Sequence, residues 1–499
     1  MPAAKLQTRD RYESPKGAKG RPMFFRLTDS VALRAWIGTP HAYYVKNEPY
    51  ARRLTGEEFD YLRLCDGTHD LPAHALQREL TKRGLIEPCR EGERPSEWSA
   101  FRQYDNRYFP KMNLMITGKC NYNCLHCFNA ADNSPLMSEW DFGALCRLLD
   151  EARDCGIHAL TLTGGEPMLY PRFQDLLREI TARGMYVEEL NTNGFFLTRK
   201  ALEEMRETGC RPLVKISFDG IGCHDWMRAR TGAEDRTLNA IALCAEEGFW
   251  VKVQTQVNRR TRPVLLSTAE RLEKMGVAQM RLIRTTEVER WEINGAGLGM
   301  PLEEYYEAMF EFARAAVGTI RHMELDIWQF LKLCPERQAY EIVPVMYGVG
   351  EFRDTAPVCR GNRGMIGVTS DGYVIPCLQM SGYFAGHGMR MENLRDRHLK
   401  EILSGGRYHD CVCMTLRDLK ARNAECAGCS LFESCAGGCR ALGLLFSGGD
   451  LTGTDRSKCV FFRDGWYERI TEAFAGWDSM KRIGTRKERD ALIIRRMFS

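Results

Sequence analysis

Between Met112 and about residue 287, short apolar runs of strand length alternate with longer stretches whose apolar residues recur every three or four positions. The strands read as Met112–Thr117, Ala159–Thr163, Tyr186–Asn191, Leu213–Phe218, Val251–Val257 and Met280–Arg284. The helices between them include Ser138–Asp154, Pro171–Arg183, Arg199–Glu207 and Val264–Met275. This alternation predicts a parallel sheet with helices outside it. Six such units predict an α/β fold, a partial (β/α)6 barrel over residues 101–300, with its site at the C-terminal ends of the strands.

Residues 22–100 follow a different rhythm. Met23–Thr28 and Ala32–Val45 read as short strands, with Gly38-Thr39-Pro40 as a turn. Leu54–Cys65 reads as a helix that Thr55 caps, with Glu58 closing a capping box and Gly67 as a stop. Leu71–Arg83 reads as a second helix, and Gly84-Leu85-Ile86 leads into a wing-like strand. Strands, then helices, then a hairpin is a winged-helix-like order, with Ala42–Val45 or its neighbour as the exposed edge. Residues 301–350 read as a linker with bridging helices, 351–460 as a Cys-rich domain, and 461–499 as a C-terminal helix and basic tail.

Charge and composition narrow the classes. The formal net charge is +4, too small to argue for nucleic acid or a membrane surface. No apolar run approaches the roughly 18–20 residues that span a bilayer. Residues 1–21 read as a flexible polar tail without the apolar segment of a secretory signal. A cytoplasmic protein is expected. There, 20 Cys read as metal or redox sites and buried thiols rather than as disulfides.

Lys119–Asn129, KCNYNCLHCFN, holds Cys120, Cys124 and Cys127 in the spacing C-x3-C-x2-C. Three thiolates on one loop suit an iron–sulfur cubane with one iron left open, whereas structural zinc wants four ligands in two pairs. The loop resembles that of the radical SAM superfamily. The resemblance implies that the open iron chelates S-adenosylmethionine (SAM) and that the two together yield a 5′-deoxyadenosyl radical. It sets His126 where an aromatic residue usually lies near the adenine, with Phe128 just beyond.

The strand ends carry the rest. Gly164-Gly165-Glu166-Pro167 ends the second strand; glycines let a backbone approach a ligand and offer N–H groups, and a carboxylate can hold an ammonium. By resemblance this motif meets the methionine amino group of SAM. Asn191-Thr192-Asn193-Gly194 and Ser217-Phe218-Asp219-Gly220 end the next two strands, with side chains able to hydrogen-bond a ribose or carboxylate. The resemblance puts Ser217 and Asp219 near the SAM carboxylate and ribose. Asn193 is a SAM-binding candidate and equally an ordinary turn residue before Gly. Gln254, Gln256 or Asn258 could do similar work, and Leu282-Ile283-Arg284 could flank the adenine.

A second concentration follows: Cys359, then Gly372 to Cys377 as G-x4-C, then Cys426, Cys429, Cys435 and Cys439 as C-x2-C-x5-C-x3-C, then Cys459. Cys426, Cys429, Cys435 and Cys439 could also make a zinc ribbon. The order resembles the SPASM extension of radical SAM peptide and protein maturases. It implies one auxiliary cluster on Cys426, Cys429, Cys435 and Cys459 and another on Cys359, Cys377 and Cys439, making three 4Fe–4S clusters with the SAM-binding one. The last ligand of the second auxiliary cluster stays open among Cys334, Cys411, Cys413 and an iron exposed to substrate. Cys411-Val412-Cys413 reads as a loop.

The N-terminal order resembles the PqqD-like recognition element of ribosomally made peptide pathways, to which a leader peptide adds as a strand. Together these resemblances imply a maturase of a precursor peptide, forming a thioether or carbon–carbon cross-link. Formylglycine formation on a folded protein and peptide epimerisation are the alternatives. The expected partners are the leader-bearing peptide and a small redox donor such as flavodoxin or ferredoxin, with no nucleic acid and no membrane.

Overall fold

A computed structural model describes residues 22–479 apart from 38, 132, 287 and 349. The expected tails at 1–21 and beyond 479, and the turn at Gly38, lie outside the described residues. The first unit comprises β1 (Phe24–Leu27), β2 (Val31–Trp36), β3 (Thr39–Val45), β4 (Arg52–Arg53), α1 (Gly56–Leu64), α2 (Ala75–Lys82), β5 (Ile86–Cys89) and β6 (Arg102–Gln103). The Thr55 hydroxyl accepts from the Glu58 N–H, and the Glu58 carboxylate accepts from the Thr55 N–H at 2.7 Å, so the capping box is closed. Phe25, Leu33, Phe59, Leu62, Leu80 and Ile86 share one apolar core.

One expectation changes here, and another is narrowed. β5 does not turn back as a hairpin; it pairs antiparallel with β1 across the two helices. The second sheet runs β4-β3-β2-β6, so Arg52 and Arg53 cover Tyr43 and Ala42, and the outer edge passes from β3 to its neighbour β4. The unit docks firmly: Tyr44 stacks on His158 with centroids 3.9 Å apart, and the Trp98 Nε1–H donates to Gly184 O at 3.1 Å.

The main sheet begins with β7 (Lys111–Thr117), followed by the short ribbon β8 (Ala130–Ala131) and β9 (Ser134–Pro135). Then come α3 (Phe142–Asp154), β10 (Ala159–Gly164), α4 (Phe173–Ala182), β11 (Tyr186–Thr192), α5 (Arg199–Glu207), β12 (Leu213–Ser217), α6 (His224–Arg228) and α7 (Ala233–Glu246). They are followed by β13 (Val251–Val257), α8 (Leu265–Lys274), β14 (Gln279–Arg284), α9 (Glu289–Asn294) and α10 (Leu302–Thr319). Leu145, Leu148, Leu176, Ile180, Leu202 and Ile241 on the helices bury against the strands. Alternate strand positions are left pointing into the lumen.

The sheet is wider than the alternation suggests. After α10 come β15 (Glu324–Ile327), β16 (Leu331–Cys334) and β17 (Ala339–Ile342), so residues 301–350 are not only a helical linker. From the Cys-rich region come α11 (Arg360–Gly364), β18 (Met365–Val368) and β19 (Val374–Ile375), followed by α12 (Ser381–Gly386), α13 (Leu399–Ser404), α14 (Arg407–Cys413) and finally β20 (Asp478–Ser479). β15 pairs parallel with β14, and β18 pairs parallel with β7. These strands are four residues long, too short to stand out as apolar runs. Cys411 and Cys413 lie in helix α14, not in a loop.

Candidate active site

The loop after β7 carries Cys120, Cys124 and Cys127, and arginines hold it from behind. Arg290 Nε–H donates to Cys124 O at 2.8 Å, and Arg230 Nη1–H donates to Asn121 O at 2.9 Å. Arg228 Nη1 lies 3.5 Å from Cys124 Sγ. A cationic shell of this kind suits thiolates and the anionic cluster they would carry.

The N–H groups of Gly165 and Glu166 are turned to the loop. The Gly165 N–H donates to Thr117 O at 2.8 Å and the Glu166 N–H to Lys119 O at 2.9 Å. A Cβ on Gly165 would lie 2.2 Å from Lys119 O, and one on Gly164 2.2 Å from Thr117 O. Pro167 opens a short 3-10 turn, Pro167–Leu169.

Glu166 is fully buried. Its carboxylate accepts from Thr192 Oγ1 at 2.7 Å and from the backbone N–H groups of Asn193 and Met168 at 2.8 and 3.2 Å. Burial pushes it up to about 7 against these three donors. Asn193 turns towards the Cys loop: its Nδ2 donates to Asn121 Oδ1 at 2.8 Å and lies 3.9 Å from Cys120 Sγ.

Asp219 is fully buried. Arg228 Nε pairs with it at 2.7 Å, and the Gln256 N–H donates to it at 3.2 Å. Against burial, the Arg228 charge holds it far below the usual carboxylate range. Sequence reasoning missed Arg228 and Arg290; neither belongs to a spaced motif, and only the fold brings them in. Ser217 ends β12 on a lumen-facing position. Burial, aided by Arg228, pushes His126 down to about 3, so its ring is neutral. Phe128 is exposed.

Below the strand ends the lumen is charged. Lys215 Nζ meets Glu189 Oε1 at 2.7 Å, and Arg281 Nε meets Asp326 Oδ2 at 3.5 Å. Lys252, beside Lys215 in register, has no ion-pair or hydrogen-bond partner among the described residues. Burial and Arg281 push it down to about 8. Lys215 and Lys252 hold Glu189 down to about 2 against its burial. Lys215, Lys252 and Arg281 all bear on Glu189, and together with Lys332 they bear on Asp326.

The C-terminal thiols fall into two sets. The charges of Cys426 and Cys429 bear on both Cys435 and Cys459. Cys359 bears on Cys377, and both bear on Cys439. Cys439 lies near Cys359 and Cys377. Asn423 caps the Cys426 N–H at 2.9 Å, and Asp455 accepts from the Cys439 N–H at 2.7 Å.

Residues 114–258 match the model of the radical SAM superfamily, and residues 359–430 match that of the SPASM iron–sulfur cluster-binding domain. The chain carries a radical SAM domain and a SPASM domain. It is an enzyme. It is 27% identical to an AdoMet-dependent heme synthase of Methanosarcina barkeri over 69% of this chain and 95% of that one. It is 25% identical to a PqqA peptide cyclase of Xanthomonas euvesicatoria over 67% of this chain and 84% of that one. The fold is similar to Streptococcus suis SuiB bound to its precursor peptide SuiA, with a TM-score of 0.61 at 13% identity, covering 87% of this chain and 100% of that one.

The residues present fit SAM and its cluster. Asn121 Nδ2, His126 Nδ1 and Asn191 Oδ1 are buried around the loop without hydrogen-bond partners, as polar atoms awaiting a ligand would be. Among the described residues no helix is long and apolar enough to cross a membrane.

Proposed function

We propose that this enzyme is a maturase that cross-links a ribosomally made precursor peptide, by a thioether or carbon–carbon bond. The observation that carries the reading is the arrangement of three units: a small strand-bearing domain docked on the barrel, a Cys loop at the strand ends, and two further thiol sets beside the sheet. Cys120, Cys124 and Cys127 would hold the SAM-binding cluster; Cys426, Cys429, Cys435 and Cys459 would hold one auxiliary cluster, and Cys359, Cys377 and Cys439 the other. Bound there, SAM supplies hydrogen abstraction and the clusters supply electron transfer.

The chain's own residues set the geometry. Gly164 and Gly165 seat the loop against β10, and Asp219 orients Arg228 behind Cys124. Glu166 is the partner for the SAM ammonium, whose charge offsets the cost of ionising a buried carboxyl. The unpaired Lys252 favours a substrate that brings a carboxylate into the lumen. The edge at β4 is the place for a leader strand. A flavodoxin or ferredoxin is the donor in this reading.

The test is mass spectrometry of short peptides encoded beside the gene, incubated without air with reconstituted enzyme, SAM and a reductant. A loss of two hydrogens supports cross-linking. An unchanged mass with deuterium taken from solvent indicates epimerisation instead. A second reading, oxidation of a carboxylate-bearing small molecule, is favoured by the heme synthase relative and by the lumen cations. An untouched peptide, with SAM cleaved only when a porphyrin carboxylate is added, would select it.

A further inference from the structure

We propose that Cys411 is the fourth protein ligand of the cluster site formed by Cys359, Cys377 and Cys439. This rests on the cluster reading above and completes it with a residue outside the spaced motif.

The backbone puts the end of α14 beside Cys359. Residues 357 and 415 form an antiparallel bridge, and the Val358 N–H donates to Met414 O at 2.9 Å. Helix α11, which starts directly after Cys359, packs on α14. The end of α14 therefore lies beside the Cys359 segment.

Helical geometry then selects one of two thiols. Residues two apart on a helix point about 200° apart, onto opposite faces. Val412, between them, is buried in the barrel core, and Cys413 packs against that core as well. The charged groups around Cys413 are Arg363, Arg107 and Asp410. Those around Cys411 are Cys359, Arg440 and Cys413, and Arg440 directly follows Cys439 in the chain. Cys411 thus lies near Cys359, the thiol that Cys377 and Cys439 also approach. Cys334 is turned elsewhere: it sits at the end of β16 with its Sγ 4.0 Å from Glu324 Oε1.

A cubane with four Cys ligands has no iron open to substrate. With Cys411 in place, a cluster held there would supply electron transfer rather than an iron that binds the peptide.

The experiment uses the full chain with Cys120, Cys124 and Cys127 changed to Ala, so that only auxiliary iron is read. C411A, C411S, C413A, C334A and C359A are each added, reconstituted without air, and compared by iron and sulfide content and by EPR after mild oxidation. The expected result is that C411A loses iron or develops the signal of a three-iron cluster, as C359A does. C411S, whose oxygen can still ligate, should keep its iron with a shifted spectrum, while C413A and C334A match the parent. A C411A protein indistinguishable from the parent, with C359A altered, overturns the assignment of Cys411 alone. A parent whose iron is unaffected by C359A overturns the cluster site itself. If C411A does not fold, the C411S spectrum decides: identical to the parent, it overturns the assignment.

Discussion

Glu166 is the residue at which stability and function pull apart. Its carboxyl stands at about 7 in the folded chain, raised by burial above an ordinary 4.5. The folded state therefore holds this proton more tightly than the unfolded state does. The contribution is most favourable below about 4.5, is lost as pH rises, and is gone above about 7. Glu166→Gln should consequently melt higher than the parent at pH 8, with the gap shrinking toward pH 5, while losing SAM cleavage measured as 5′-deoxyadenosine. Arg228 gives the opposite case. Removing it leaves the enclosed Asp219 charge unpaired, a loss of about 3–5 kcal/mol in such pairs. Arg228→Met should lower the denaturant midpoint, and Asp219→Asn in the same chain should restore part of it. The sequence marks Glu166 and Asp219 because they stand beside glycines at strand ends. It gives no sign of Arg228, whose partner lies nine positions back through a turn and a short helix.

At the level of elements, the glycine pair and the Cys loop form one unit. Gly165→Ala would push a methyl group into Lys119 O, so the expected outcome is a reconstituted protein with less SAM-site iron and a normal far-ultraviolet circular dichroism spectrum. Iron content with the auxiliary thiols removed checks it. Strand β13 was legible to the residue, because Val251–Val257 alternates cleanly between core and lumen. So was α5, because Thr198 caps it and its apolar residues lie on one face. The Cys motifs were legible from spacing, while their grouping into sets came only with the family resemblance; Cys411 stood outside both, since a Cys two residues from another carries no periodic signal. Strands β15 and β18 escaped because their pairing partners are set by the whole sheet and not by local pattern.

The molecule as a whole depends on its C-terminal region in two ways. The C-terminal thiols sit on short helices and turns with few strands to hold them, so the clusters proposed there would supply much of their order. Chelation of iron should leave amide exchange in β10 to β14 slow and make residues 423–459 exchange fast, as hydrogen-exchange mass spectrometry would show. The second dependence concerns the margins of the sheet. β18 and β19 pair along the outer side of β7, and β20 pairs along the outer side of β17. A fragment cut at residue 300 would retain every motif of the SAM site yet expose bare edges at β7 and β14, and such edges template chain-to-chain pairing. Its fate on expression is precipitation, which makes the 199 residues after the cut the solubility guard of a barrel that ends before them.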